Sequence, residues 1–491
     1  MSDASLPPLV VGFDLDMTLL DTRPGIKQVW EQFSASTGIL VDADLAVSRL
    51  GPPVATEMAH WAEPSRVEEF VASYLSLYPR HAVESSTLLP GARSALESVS
   101  NLGGKVVVVT AKHEPNARLH FDHLSLPVDE LFGDLFGEAK GQALLASGAS
   151  IYVGDHVHDI AAARAAGAVS VAVSTGPCSA EELADAGADV VLPDLTEFAD
   201  LLQQHVLQQR LDALEVRLHD LGSLLVAFSG GADSAFLLAA AVRALGTDRV
   251  AAATAISDSL PAGERDPARD FAAGLGVRYL TPTTSEMERK GYRANAGDRC
   301  YFCKAELIDV LTPLAADLGL AAVVTGTNAD DAVAGFRPGI RAARERQAVT
   351  PLLDAQLSKQ QVRAASRLWG LPTWDKPAAA CLSSRIAYGI EVTPSRLARV
   401  DRAEVAVRAA LGDAGVAVEQ LRVRDLGDTG RVELDTRALG MVTSNDGLTL
   451  DVVSAVKGAG FPAVVIDPAG FRSGSMNELL PSGPSTEPAL H

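Results

Sequence analysis

LLVAFSGGADSAFLLAAAV, residues 224–242, reads as an apolar strand, a glycine turn and an apolar helix in direct succession. Gly230 and Gly231 let the backbone approach a phosphate closely, and the helix that follows presents free N–H groups to an anion. Ser229 and Ser234 add hydroxyl donors, and Asp233 suits Mg²⁺ or a water. No lysine follows the glycines, so the loop is not G-x-x-x-x-G-K-[ST]. A strand feeding a helix through such a loop belongs to an α/β fold with a parallel sheet.

Outward from this stretch the chain reads as two such folds. Upstream, apolar runs at 9–13, 106–109, 151–153, 169–173 and 190–192 alternate with helical patterns. Residues 22–90 are helical in pattern and read as an insertion after the first strand. Downstream of the loop, strands are expected at 250–256, 277–280 and 321–324. After about residue 395 a charged helix leads to strands at 421–425 and 431–435, a further helix and a last strand at 463–467. The expected layout is two doubly wound parallel-sheet domains and a small α+β subdomain. Their bounds are 1–205 with a cap at about 22–90, a helical linker 206–222, a loop domain 223–394, the subdomain 395–474 and a disordered tail 475–491.

The chain of 491 residues has length for several cores; 47% hydrophobic and 21% charged residues argue against a disordered or fibrous chain. Its net charge of −20 and 5% aromatic content disfavour general nucleic-acid binding, which rests on cations and stacking platforms. Four cysteines are too few for a disulfide scaffold. With no secretory pattern and no long apolar run, a cytoplasmic protein with reduced thiols and no membrane partner is expected. Homo-oligomerisation is left open.

In GFDLDMTLLD, residues 12–21, Asp14 and Asp16 stand at the carboxyl end of the first strand, where open α/β sheets bind ligands. Asp155 and Asp159 follow the strand at 151–153. Strand-end aspartates also cap helices, but four carboxylates together suit a hard dication such as Mg²⁺. Thr110 ends another strand and can hold a phosphate oxygen, and Lys140 can neutralise a phosphate or carboxylate. The ordered set Asp14, Asp16, Thr18, Thr110, Lys140, Asp155 and Asp159 resembles the haloacid-dehalogenase-type phosphohydrolases over about residues 8–205. The resemblance implies that Asp14 is the nucleophile and Asp16 the general acid/base. It further implies that Asp14, the Asp16 carbonyl and Asp155 hold Mg²⁺, with Asp159 in support. The insertion then resembles the cap of the phosphoglycolate-phosphatase-like branch, and the substrate is some phosphorylated metabolite. Cys178 is read as structural.

SGGADS itself resembles the loop of the ATP pyrophosphatases, which attack the α-phosphate of ATP and release pyrophosphate. Cys300 and Cys303 form C-x-x-C in GDRCYFCKAEL, and Cys381 lies in KPAAACLSSRIAYG. A thioredoxin-like pair would need a different fold context. Structural zinc wants four ligands, so three cysteines fit a 4Fe–4S cluster with one open iron better. With these cysteines, VVTGTNADD and RVRDLGDTGRVEL, the second part of the chain resembles the ATP-dependent sacrificial sulfur transferases of the LarE type. That resemblance implies an adenylated nicotinic-acid-derived pyridinium mononucleotide that receives sulfur at Cys381, for the nickel-pincer cofactor of lactate racemase. The sulfur comes either from Cys381 itself, once, or from a sulfide held on a cluster bound by Cys300, Cys303 and Cys381; three cysteines favour the second route.

Arg385, Arg422 and Arg424 are candidates to clamp the phosphate or carboxylates of the substrate. Glu404 and Glu433 are candidates to place a metal or substrate, and Asp330 and Asp331 to assist the ATP site. Trp369 and Trp374 read as packing residues. Two other ATP-pyrophosphatase readings stay open: a tRNA-thiolating enzyme, which the acidic chain disfavours, and an amidating ligase, which leaves the cysteines without a role.

Overall fold

The computed structural model describes residues 6–333, 337–377, 380–472 and 476. The expected tail lies outside the described residues, apart from its Met476. The chain separates into two compact units, Pro7–Gln208 and the chain from Gln209 onward. No helix among the described residues is long and apolar enough to cross a membrane.

The first unit carries a six-stranded sheet of β1 (Val10–Phe13), β2 (Lys105–Val109), β3 (Glu130–Phe132), β4 (Ile151–Gly154), β5 (Val169–Val173) and β6 (Val190–Leu192). The spatial order is β3-β2-β1-β4-β5-β6, and every pairing is parallel. Alternate residues serve opposite faces, as a pleat requires. Val11 and Phe13 join the core with Leu96, Val99 and Phe198, whereas Val10 packs with Val107, Leu144 and Tyr152. Register does the functional work. Phe13 stands opposite both Val108 and Val153, so Asp14, Thr110 and Asp155 emerge along one edge.

The insertion holds four helices, Arg23–Thr37, Ala43–Ser48, Val54–Met58 and Val67–His81, around their own core of Trp30, Phe33, Phe70 and Tyr74. Its entry and exit are tied by a short antiparallel ribbon, Leu20–Asp21 against Thr87–Leu88.

The second unit begins with β7 (Leu224–Ala227), β8 (Val250–Ala253), β9 (Arg278–Leu280) and β10 (Ala322–Thr325), a parallel sheet in the order β9-β8-β7-β10. The helix Ala232–Leu245 is buried along most of its length, which is why its sequence is apolar nearly all round. A three-stranded sheet of β11 (Leu421–Asp425), β12 (Thr429–Leu434) and β13 (Ala463–Ile466) follows, antiparallel then parallel. The helices Pro394–Asp413 and Asp446–Gly458 contribute Leu397, Val400, Val452 and Val456 to the same core as this sheet.

One buried ion cluster fixes the helix Pro394–Asp413 on that sheet. The Asp425 carboxylate is fully buried and lies 2.9 Å from Arg396 Nη1 and 2.6 Å from Arg399 Nη2. Removing one partner of a buried pair strands the other charge, at about 3 kcal/mol. Asp425→Ala is therefore expected to lower the unfolding free energy of the second unit by about 3 kcal/mol, seen as a lower urea midpoint, with the first unit's transition unmoved, as followed by circular dichroism.

Candidate active sites

In the first unit Asp14 leaves β1 with its N–H bonded to the Val153 carbonyl at 2.8 Å. The ligand oxygens of Asp14, Asp155 and Asp159 all lie within 4.8 Å of one another, and all three residues are buried. Lys140 Nζ stands 3.1 Å from Asp14 Oδ1 and 2.7 Å from Asp159 Oδ1. Thr18 donates to Asp155 at 2.9 Å. The helix Val157–Ala166 starts at this edge with a capping box in which Asp159 accepts from the His156 N–H. Thr110, also buried, accepts from the Lys112 N–H.

Three carboxylates around one lysine leave surplus negative charge out of water. Burial, partly offset by Lys140, raises Asp14 to about 6, and burial with the neighbouring Asp14 and Asp159 charges raises Asp155 well above the carboxylate range. Lys140 is disfavoured by burial but held above its ordinary value by Asp14 and Asp159. Asp14 Oδ1 is buried and receives no directed hydrogen bond, its contact with Lys140 being an ion pair only. Gly176 keeps room beside this set, since an added Cβ would overlap Asp155 Oδ2. A hard cation with oxygen ligands fits this donor set.

Asp16 faces elsewhere. Its carboxylate lies 2.8 Å from Lys112 Nζ and accepts from Thr22 Oγ1 at 2.5 Å. Burial pushes its pKa up, but the Lys112 charge and the hydrogen bonds from Lys112 and Thr22 carry it below the usual value. Asp14 and Asp16, two residues apart, are thus driven in opposite directions. Only the Asp16 backbone is left for a metal at the Asp14 set.

Lys112 was not singled out by the sequence reading. It continues to the Tyr78 hydroxyl of the insertion at 2.7 Å, and Tyr78 meets His120 Nε2 at 3.0 Å. Burial and the Lys112 charge push His120 down to about 4, so it is neutral at neutral pH. The available signal was position: Lys112 follows Thr110 by two residues, as Asp16 follows Asp14.

In the second unit the glycine loop folds around two hydroxyls. The Ser229 N–H donates to Ser234 Oγ at 3.2 Å, and Ser234 Oγ donates to the Gly231 carbonyl at 3.1 Å. Gly230 has φ 71°, a left-handed backbone that favours glycine. Asp233 accepts from Lys359 at 2.5 Å, and its other oxygen is buried without a hydrogen bond. Lys376 donates to the Gly230 carbonyl at 3.0 Å. A cavity of about 290 Å³ opens over the loop, lined by Ser229, Asp233, Ser234, Lys304 and Asp331. Asp330 turns instead to the Lys359 N–H at 2.9 Å. The three lysines are also absent from the sequence reading, although Lys304 directly follows Cys303 and Lys376 lies in TWDKP.

Cys300 and Cys303 sit one turn apart on the helix Arg299–Asp317, and Cys381 caps the short helix Leu382–Arg385. All three are free. Burial, then the neighbouring Cys381 charge, raises both Cys300 and Cys303 thiols, so the three sulfurs share one electrostatic neighbourhood. They are not gathered to single-ion ligand spacing; among the described residues only the aspartate set is.

The five charged candidates converge behind Cys381. Arg385 Nε meets Glu404 Oε1 at 3.0 Å, and Arg385 Nη1 donates to the Cys381 carbonyl at 2.9 Å. Arg424 pairs with Glu433 at 2.8 Å and reaches the Ser384 carbonyl at 3.3 Å. Arg422, pushed down to about 10 by burial and then by Arg385, lies over Phe471. The two glutamates therefore stand here as partners of the arginines, and they hold the loop that carries Cys381. Trp369 stacks on Phe236, and Trp374 lies under Arg367.

Residues 11–173 match the model of the haloacid dehalogenase-like hydrolase family. An uncharacterised protein of Synechocystis is 40% identical over 275 residues, which cover 56% of this chain and 99% of that one. The pyridinium-3,5-bisthiocarboxylic acid mononucleotide synthase of Lactiplantibacillus plantarum is 34% identical over 268 residues, 54% of this chain and 93% of the relative. A phosphoglycolate phosphatase of Chromobacterium violaceum is 30% identical over 218 residues, 39% of this chain and 96% of the relative.

Two outcomes follow for the aspartate set. A hard cation such as Mg²⁺ needs Asp14 and Asp155 ionised, and both carboxyls are raised, so its apparent dissociation constant is expected to rise by at least about tenfold per pH unit below about 6 and to go on falling above it, by isothermal titration. Gly176→Ala crowds Asp155 and is expected to weaken Mg²⁺ binding at least ~10-fold in the same titration, with an unchanged far-ultraviolet spectrum.

Proposed function

Because the chain belongs to the haloacid dehalogenase-like hydrolases through its first unit and to the LarE-type pyridinium-3,5-bisthiocarboxylic acid mononucleotide synthases through its second, we propose that it joins an ATP-dependent sulfur transferase to a Mg²⁺-dependent phosphohydrolase. The observation that carries the first half is the succession Cys303–Lys304. Cys303 belongs to the cysteine neighbourhood, and Lys304 lines the cavity over the glycine loop. One helix thus links the sulfur site to the nucleotide site.

In this reading the loop N–H groups and hydroxyls of 229–234 hold the ATP phosphates, with Lys304, Lys359 and Lys376 supplying cations. A carboxylate oxygen of the pyridinium mononucleotide bonds to the α-phosphorus, and pyrophosphate leaves. Sulfur then attacks the acyl carbon, a C–S bond forms, and AMP departs. If the sulfur is that of Cys381, loss of its Hα and cleavage of its Cβ–S bond leave a thioacid on the substrate and dehydroalanine in the chain. Cys300, Cys303 and Cys381 are the residues that would hold an iron–sulfur cluster, which supplies a replaceable sulfide at an open iron. The arginine–glutamate network fixes the Cys381 loop, and Arg422 offers its charge to an acidic substrate.

In the first unit Asp14 attacks phosphorus and forms an aspartyl-phosphate as the alcohol leaves. Asp14, the Asp16 carbonyl and Asp155 would hold Mg²⁺, whose charge would stabilise the phosphoryl group. Asp16, favoured as the carboxylate by Lys112 and Thr22, takes the proton of the hydrolysing water and passes it to the oxygen of the departing alcohol, which closes the turnover. The name of the phosphatase relative offers phosphoglycolate as one substrate to be tried.

Anaerobic reconstitution with iron and sulfide is expected to give a brown protein whose colour is lost in Cys381→Ala. A colourless wild type that loses the mass of H₂S from one cysteine on turnover would instead establish the single-use route.

A further inference from the structure

The reaction above leaves the cavity over Asp14 without a ligand. It has a volume of about 230 Å³ and reaches from Asp14, Asp16 and Thr110 into the helical insertion. Its far wall is apolar and aromatic: Trp30 and Tyr74, with ring centroids 4.5 Å apart, Leu50 and Leu75. A bicyclic base with its ribose occupies such a space, whereas a two-carbon acid leaves most of it unfilled.

Charge narrows the ligand further. Four carboxylates line the cavity, Asp14, Asp16, Glu57 and Asp134, against two cations, Arg49 and Lys112. Both cations are already engaged. Arg49 makes a two-pronged pair with Glu57 at 3.0 and 2.6 Å, and Lys112 lies 2.8 Å from Asp16. His113, the remaining basic side chain, lies 3.1 Å from Asp134. A leaving group with its own carboxylate finds no uncommitted cation among these lining residues and must displace Glu57 to reach Arg49.

Resting on the phosphohydrolase reading, the geometry points to a nucleoside 5′-monophosphate with an uncharged base as the substrate class, AMP foremost, and not a phosphorylated hydroxy acid. The ring carboxylates of a pyridinium mononucleotide likewise find no uncommitted cation among these residues, the ring's own nitrogen apart. The half that consumes the AMP released by sulfur transfer thereby spares the mononucleotide that receives the sulfur. Each turnover adds water across the ester and yields a nucleoside and inorganic phosphate, with no redox partner.

The test is phosphate release by the full chain in Mg²⁺ from AMP, phosphoglycolate, nicotinic acid mononucleotide and p-nitrophenyl phosphate, with Asp14→Asn as the blank. The expected kcat/KM for AMP exceeds those for phosphoglycolate and nicotinic acid mononucleotide at least tenfold. Glu57→Gln releases Arg49 and is expected to lower the KM for phosphoglycolate several-fold while moving that for AMP less than twofold. Phosphoglycolate or nicotinic acid mononucleotide turned over as well as AMP overturns the proposal, as does an AMP-to-phosphoglycolate preference that Glu57→Gln leaves unchanged. Release from none of the four, p-nitrophenyl phosphate included, overturns the phosphohydrolase reading itself. Release from p-nitrophenyl phosphate without AMP overturns the substrate class alone.

Discussion

Burying a carboxylate is costly unless a counter-charge comes with it, and the first unit buries three around a single lysine. The parallel register of β1, β2 and β4 makes the arrangement possible, because it delivers Asp14, Thr110 and Asp155 to one edge. Lys140 offsets only part of the charge. Burial, with the charge that remains, raises the affinity of Asp14 and Asp155 for a proton, and a hard cation answers the same need. The sheet order, the capping box at Asp159 and the bare face of Gly176 all serve this one electrostatic deficit.

The second unit solves the opposite problem with the same physics. Its glycine loop presents N–H groups and hydroxyls, and lysines from distant segments close around it. In the same unit, Arg385, Arg422 and Arg424 are out of water together, and repulsion among them is contained by Glu404 and Glu433. The pairs also bond the carbonyls of Cys381 and Ser384, so charge neutralisation and the placement of the sulfur-bearing loop are one structural act.

Some residues were legible from local pattern alone. Asp14 and Asp16 are read from i, i+2 spacing at a strand end, Ser229 to Ser234 from glycines between a strand and a helix, and Cys300 and Cys303 from one helical turn. Lys112, Lys304, Lys359 and Lys376 were not, since a lysine on a helix or loop is ordinarily a solvated charge. Nor was the partnership of Glu404 and Glu433 with arginines legible, since a glutamate offered to a metal and one offered to a guanidinium look alike in sequence.

The order of amino acids by itself determined the two α/β sheets, the strand-end carboxylates, the phosphate-type loop and the three cysteines. Each follows from periodicity, glycine freedom or ligand chemistry within a few residues. Only the tertiary structure decided which charges meet: Lys359 finds Asp233 across 126 residues, and Thr18 finds Asp155 across 137. It also decided that Asp14 and Asp16, alike in sequence, titrate in opposite directions. A carboxyl's proton affinity is set by burial and by the charges that face it, and those neighbours come from other parts of the fold.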